Sequence, residues 1–398
     1  MLPSSSPPPP PPSAPRTLII GAGLAGLSLS LALSHRGLPH ALFDADPSPE
    51  HRRQGYSLTL QHGRAAAQLG LELPRIASTR HLVLDAQGGE VASWGRELWG
   101  AGGRRSRKAA RGHHNFHISR SLLRDELLGA RPEGAGPVSW GKRLAGVSAP
   151  GPGPVTATFE DGSSATGDVL VAADGVHSFA RGSLFPSPPP RPSNVTVSLG
   201  IFAPPPAPLP LDFATVVQIA DGEGGRLYLQ PFDRERYMWQ FSHLDGPWSG
   251  RREPADILSR TRRLAGRWAS GAVGELLSLT PPELVSSYSI VDRDLPRNFR
   301  GGGHPRVTFV GDAAHPMTPF KGWGGNAALR DGLELARRIY SRCGAAPLDG
   351  GGWEELLKDF EEDMLGKVRG KVERSREAVG KLHGREVLTR SNQTRGSL

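Results

Sequence analysis

Three glycines, Gly21, Gly23 and Gly26, stand at G-x-G-x-x-G spacing in the segment Gly21-Ala22-Gly23-Leu24-Ala25-Gly26. An apolar run, Thr17-Leu-Ile-Ile, precedes them, and a second apolar run follows and ends at Gly37. That context reads as a buried strand, a tight turn and a helix, and the chemistry it offers is the holding of a pyrophosphate. Gly21 permits the turn, Gly23 lets phosphates approach the backbone, and Gly26 allows the helix to pack on the strand. The helix N-terminus, opening at Leu24 and Ala25, supplies amide donors and the positive end of a dipole. Asp44, 18 positions past Gly26 at the end of Ala41-Leu42-Phe43, is placed to accept from ribose hydroxyls. This fingerprint alone does not separate NAD, NADP and FAD.

Two further segments do. In Asp168 to Arg181, a buried strand runs into Asp174-Gly175, with Ser178 and Arg181 on the next turn. In the second, a strand from Arg306 to Val310 meets Gly311-Asp312, then a loop with His315, Pro319, Gly322, Gly324 and Gly325, then a helix beginning near Asn326. Together the three motifs resemble, in order, those of the single-component FAD-dependent aromatic hydroxylases, flavoprotein monooxygenases of the para-hydroxybenzoate hydroxylase fold. Arg120-Ser-Leu-Leu-Arg-Asp-Glu-Leu is similar to a further segment of that family, and the likeness spans about residues 17–385.

The resemblance implies an α/β fold. A Rossmann-type FAD-binding domain of the glutathione-reductase (GR2-like) kind would carry a mostly antiparallel β-sheet substrate domain and a C-terminal helix. It places Arg120 at the flavin ring or phosphates, and Asp174 at both FAD and the nicotinamide. Asp312 would accept from ribitol hydroxyls, and Asn326 would close the loop motif. Pro319 would fix the loop while Gly322 and Gly324 admit the isoalloxazine ring, and the helix after Gly325 would aim its amides at the pyrimidine edge. The flavin is itself the catalyst, so no side chain is assigned that role. Pro319 and His315 are the supporting candidates, with His315 read as loop framework before general base. Lys321 and Trp323 depart from the family pattern, and Trp323 is expected to narrow the substrate side.

The implied cycle takes electrons from NADPH or NADH, uses O2 as co-substrate, and passes one oxygen from a C4a-hydroperoxyflavin to a small aromatic or polyketide-like molecule. Alternatives from the same fold are a flavin dehydrogenase, oxidase or epoxidase. From another class, the alternative is a flavin-retaining protein without catalysis, for which the Pro-rich tail and the last helix would be docking elements.

Length and composition bound the rest. The 398 residues suffice for two or three packed units, and 37% hydrophobic with 22% charged residues is ordinary for a globular chain. One cysteine, Cys343, allows no internal disulfide and no paired metal ligands, so no metal is expected and a cytoplasmic setting is favoured; a Ser- and Pro-rich N-terminus is also compatible with plastid import. The net charge of +9 peaks between Arg104 and His117 without interleaved aromatics, so nucleic acid is not expected as a partner. Nor is a transmembrane segment, because glycines interrupt the longest uncharged run, Thr17 to Ser34. Monomer and homodimer both remain open. G-x-S-x-G and H-E-x-x-H are absent, which disfavours a triad hydrolase and a zinc peptidase.

The expected organisation is a disordered tail at 1–16, an FAD-binding domain from 17–75, 113–190 and 300–348, a substrate domain from 76–112 and 191–299, a helical segment at 349–388 and a tail at 389–398. Period-2 runs such as GRLYLQPFD and YMWQFSHL mark the substrate sheet. Tyr228, Gln230 and Trp239 are the pocket candidates on it. Apolar positions from Trp353 to Leu382 recur at helical spacing, reading as a helix or helix pair on the flavin domain rather than as a coiled-coil partner.

Overall fold

Thr17–Ile20 is buried at every position, as a strand covered on both faces must be. It lies at the centre of a five-stranded sheet in the order Val307–Phe309, Val169–Ala172, Thr17–Ile20, His40–Phe43, Val138–Ser139, and every pairing is parallel. This computed structural model describes residues 14–51, 56–61, 64–74, 76–95, 116–149, 151, 153–185, 187–203, 209–244, 253–343 and 348–389. Most of the Pro-rich N-terminus, the basic run from Arg104 to residue 115, the Pro-rich stretch 204–208 and the last nine residues lie outside them.

The helix Leu24–Ser34 follows the glycine turn and crosses the long helix Gly324–Cys343 closely. A Cβ on Gly332 would lie 2.3 Å from Ser28 Oγ, so that crossing requires glycine. Among the described residues the Gly324–Cys343 helix is followed by the helix Gly350–His383 with no strand between, so no second dinucleotide-binding unit starts there.

The other large sheet has seven strands, Val285–Asp292, Arg191–Phe202, Tyr237–Leu244, Gly225–Pro231, Thr215–Ala220, Arg80–Asp85 and Glu90–Gly95, in that order. All neighbours are antiparallel except Thr215–Ala220 with Arg80–Asp85. A small sheet of Ser57–Leu60, Phe116–Ser119 and Ile76–Ala77 belongs with the cofactor unit.

The C-terminal segment is one helix, Gly350–His383, capped by Asp349, whose Oδ1 accepts from the Gly352 amide at 2.7 Å. Of its apolar stripe, Trp353, Phe360, Met364, Val368 and Val372 are buried against the rest of the chain. Buried Glu361 pairs with Arg300 and also accepts from Thr308 Oγ1 at 2.8 Å and the Phe299 amide at 2.8 Å, locking the helix to the five-stranded sheet. No helix among the described residues is long and apolar enough to cross a membrane.

Candidate active site

The first turn is held by close contacts that only glycine allows. Gly21 has φ +108°, and a Cβ there would come within 2.4 Å of the Ala173 carbonyl oxygen. A Cβ on Gly26 would meet the Gly21 carbonyl oxygen at 1.9 Å. Gly23 differs, for nothing lies within 4 Å of its Cβ position, and no side chain caps the helix it opens. The first helical bond runs from Leu27 N–H to the Gly23 carbonyl, leaving the amides of Leu24, Ala25 and Gly26 without helical partners beside that open space. Asp44 sits at the end of its strand and ties the turn as well: Oδ2 accepts from the Ala22 amide at 2.5 Å and Oδ1 from the Asp46 amide at 2.8 Å. Ala22 N–H is thus committed to Asp44, while the carboxylate keeps lone pairs for a further donor.

A second helix N-terminus meets the first. Gly325 lies against Leu24, a Cβ there falling 3.6 Å from the leucine methyl, and the first helical bond of Gly324–Cys343 runs from Ala327 N–H to the Trp323 carbonyl at 2.9 Å. The amides of Gly324, Gly325 and Asn326 are therefore free of helical partners at the same end as those of Leu24 to Gly26. Pro319 starts the short turn Pro319–Lys321, and Gly322 follows at φ +64°, a left-handed conformation suited to glycine. The Asn326 side chain is fully engaged: Oδ1 accepts from Gln61 N–H at 2.8 Å, and Nδ2 donates to the Thr59 and Gly322 carbonyls, both at 2.9 Å. It is a strut between the loop and the small sheet, and its backbone amide is the group left facing the opening.

Asp312 lies beside Gly324, whose Cβ position is 3.9 Å from Oδ1. It keeps accessible surface, yet burial raises its carboxyl pKa against the positive fields of His315 and Arg120. Accessible surface combined with desolvation describes a group lining an internal hollow. Tyr56 and Tyr288, with rings 6.3 Å apart, show the same combination, and burial raises both above the ordinary phenol. Arg120 opens the helix Arg120–Gly129 behind Ser119, whose Oγ accepts from the Leu122 amide at 3.1 Å. Its guanidinium makes no hydrogen bond or ion pair among the described residues, and its charge acts on Asp312, Tyr56 and Tyr288. It faces the hollow.

Asp174 stands in the turn before the helix Phe179–Leu184. Its Oδ2 accepts from the Ala180 amide at 3.2 Å, while Oδ1 is buried with no partner, and burial raises its pKa. Arg181 is a tie: fully buried, it donates from Nη1 to the Ala313 and Ala314 carbonyls at 3.0 and 2.7 Å, pinning the Gly311–Ala313 turn. His315 is framework as well. Its Nε2 lies 2.6 Å from Asp331 Oδ2, which also accepts from the Gly311 amide at 3.0 Å. Burial works against protonation of His315, but the Asp331 carboxylate outweighs it and lifts the imidazole above its ordinary value. A histidine held this way orders the loop and is not free to serve as a base.

Sequence reasoning missed three residues. Arg124, one helical turn past Arg120, is buried and donates from Nε to the Ala22 carbonyl at 3.0 Å, bracing the glycine turn from behind. Asp331 sits in the Gly324–Cys343 helix as the partner of His315. Arg226 lies on the sheet face that looks toward the cofactor unit, two residues from Tyr228, and strand alternation was the signal that could have found it.

That face carries Arg226, Tyr228 and Gln230. Gln230 donates from Nε2 to the Ser57 carbonyl at 3.0 Å and joins the two units. Tyr228, pushed up to about 12 by burial, lies against Thr59 and beneath the Arg226 guanidinium, 5.1 Å from its ring. Trp239 corrects the expectation: it lies on the opposite face, fully buried, against Gly200 and with Nε1 donating to Thr280 Oγ1 at 2.9 Å. Its strand places it among the sheet-to-helix core, away from any pocket at the cofactor unit. Trp323 is also corrected, being buried beneath Lys371 and Arg374 of the last helix. Among the described residues no group of His, Cys, Asp or Glu is arranged to hold a metal ion.

The residues fit a bound flavin dinucleotide on four counts: open space over Gly23, two converging sets of free amides, the unpartnered Asp174 Oδ1, and an Asp312 that lines the hollow.

The family model described as FAD binding domain matches residues 15–375. The chain is 29% identical over 377 residues to 3-amino-4-hydroxybenzoate 2-monooxygenase PtnB3 of Streptomyces platensis, covering 93% of this chain and 89% of that one. It is 28% identical over 383 residues to an FAD-dependent urate hydroxylase of Klebsiella pneumoniae, covering 94% and 91%. Among solved structures, Klebsiella pneumoniae HpxO complexed with FAD and uric acid superposes with a TM-score of 0.78 at 24% identity, over 96% of this chain and 92% of that one. The 2,6-dihydroxypyridine-3-hydroxylase of Arthrobacter nicotinovorans does so at 0.72 and 18%, over 94% of each. At these identities the two structures speak for the fold.

Proposed function

The chain belongs to the FAD binding domain family, and on that premise we propose an FAD-dependent monooxygenase that draws electrons from NADPH or NADH and inserts one oxygen atom of O2 into a small, electron-rich aromatic or polyketide-like substrate. The carrying observation is the meeting of two helix N-termini, Asp312 and Arg120 in one hollow under a sheet face that bears Tyr228 and Arg226. When bound, FAD supplies the two-electron chemistry and the activation of oxygen. The amides of Leu24 to Gly26 hold the pyrophosphate and Asp44 the ribose. Asp312 takes the ribitol hydroxyls, and the amides at Gly324 to Asn326 stabilise negative charge at the pyrimidine edge. The sheet closes the hollow against water, which strengthens these electrostatic contacts.

Arg226 sharpens the substrate class. It is buried, Nη2 donates to Gln218 Oε1 at 2.9 Å, and among the described residues Nε has no partner and no carboxylate pairs with it. Burial lowers its pKa to about 10, so it remains a cation at neutral pH. A phenolate, enolate or carboxylate on the substrate satisfies it, while Tyr228, kept protonated, donates alongside.

The test uses FAD-loaded protein with NADPH and NADH in air and a panel of acidic phenols, with labelled dioxygen. Substrate-accelerated nucleotide consumption with label in the product is expected. Consumption without label would replace the reading with a dehydrogenase or oxidase, and bound FAD without consumption would replace it with a non-catalytic protein.

A further inference from the structure

The loop residues Lys321 and Trp323 take no part in the site described above. Trp323 is 6% exposed and lies under the last helix, with Lys371 Nζ at 6.0 Å and Arg374 Cζ at 5.3 Å from its ring centroid. Arg330 approaches from the helix Gly324–Cys343, and Lys321 from the loop itself. Burial and then each other's charge depress these lysines: Lys381, Arg226 and Arg374 act on Lys321, while Arg330 and Arg374 act on Lys371.

Among the described residues no carboxylate pairs with this group. Asp331, the acid that acts on Lys371, is bound to His315 and the Gly311 amide. Asp363 pairs with Lys367 and Arg338, and Glu377 with Lys381. Lys321, Arg330, Lys371 and Arg374 make no ion pair or side-chain hydrogen bond among the described residues. Gathered like charges without counter-ions repel, and an anionic ligand relieves them.

We propose that the ridge of Lys321, Arg330, Lys371 and Arg374 receives the phosphates of the nicotinamide dinucleotide, and that the 2′-phosphate makes NADPH the preferred donor over NADH. Three features commit it to this occupant. Lys321 belongs to the loop that carries Pro319, Gly322 and Gly324, so the ridge begins beside the flavin position. The free amides of the glycine fingerprint are already assigned to the FAD pyrophosphate. Finally, the described residues after Gly324 contain only helices, so a second dinucleotide must dock on a surface rather than in a fold of its own. The inference rests on the reading that electrons come from a nicotinamide dinucleotide.

The experiment uses FAD-loaded full-length protein and has two readouts. One is binding of 2′,5′-ADP by calorimetry; the other is KM for NADPH and NADH in anaerobic flavin reduction. In Lys371→Ala/Arg374→Ala, 2′,5′-ADP affinity should fall about tenfold and the NADPH KM rise about tenfold, both more at low salt, with a smaller change for NADH. Arg374→Lys should retain most of the affinity, and Lys358→Ala, exposed elsewhere on the same helix, should change neither readout. FAD stoichiometry and thermal midpoint confirm that each variant is folded. Unchanged 2′,5′-ADP binding in the double variant, or none in the unaltered protein, overturns the ridge even if NADPH reduces the flavin. Failure of both nucleotides to reduce the flavin, with 2′,5′-ADP still bound through Lys371 and Arg374, overturns the donor reading instead.

Discussion

The two faces of the seven-stranded sheet arise from the same alternating strands and carry opposite chemistry. The far face sets Leu82, Leu84, Leu227, Leu229, Trp239 and Phe241 against the helices Pro254–Ala265 and Ala272–Ser278. Trp239 and Tyr237 on it are paired: Trp239 with Thr280, and the Tyr237 hydroxyl donating to the Thr215 carbonyl at 3.2 Å while accepting from Phe213 N–H at 2.9 Å. The near face carries His81, Gln218, Arg226, Tyr228 and Gln230, and here pairing is incomplete. Among the described residues Arg226 Nε has no partner, nor do His117 Nε2 and Gln61 Nε2 on the cofactor unit. Buried polar groups in a core are satisfied as a rule, so the unsatisfied guanidinium nitrogen of Arg226 on the near face marks a place where a ligand belongs.

That contrast can be broken by substitution. On the far face, Trp239→Ala should cost about 3–5 kcal/mol of stability by chemical denaturation, through lost burial and a cavity. On the near face, Arg226→Met should reverse the pattern: kcat/KM for an acidic substrate falls about a hundredfold, while the denaturation midpoint holds or rises, because a buried cation without a counter-ion is replaced by an apolar side chain.

A pH series sharpens the comparison. Burial lowers His81 to about 4 and, with the field of His81 added, His117 to about 3. Both folded values lie below the ordinary value near 6.5, so the unfolded chain binds more protons between about pH 6.5 and pH 4. Stability should therefore fall as pH drops through that window, by up to about 1.4 kcal/mol per pH unit for each histidine. Denaturation of His117→Asn over this range should show a shallower slope, and Trp239→Phe an unchanged one. The smallest effect is expected for Gln230→Ala, about 1 kcal/mol in thermal or chemical unfolding for the lost bond to Ser57.

The cofactor unit was legible in the sequence because its constraints are local. Gly21 and Gly26 occupy positions where a Cβ collides with backbone, and the strand, turn and helix around them are contiguous in the chain. Asp44, Asp174 and Asp312 each follow the C-terminal end of a strand of the same parallel sheet, so their placement at one edge follows from the order of the motifs. The struts were not legible. Asn326 binds Gln61 across 265 residues and Arg124 binds the Ala22 carbonyl across 102, and no periodicity reports such partners. The substrate sheet failed in a different way. Alternation placed Tyr228 with Gln230 and Trp239 with Tyr237 and Phe241, but both faces are buried, and a strand pattern does not say which face looks at the cofactor. Trp323 misled for a related reason, since the helix that covers it begins 27 residues later in the chain.

Titration of the purified chain with FAD, followed by quenching of flavin fluorescence, tests most directly whether the near-face hollow is a site. The expected result is saturable binding of one FAD per chain, weakened by Asp312→Ala and unaffected by Trp239→Phe. Absence of saturable binding, or equal weakening by substitutions on both faces, would contradict the account.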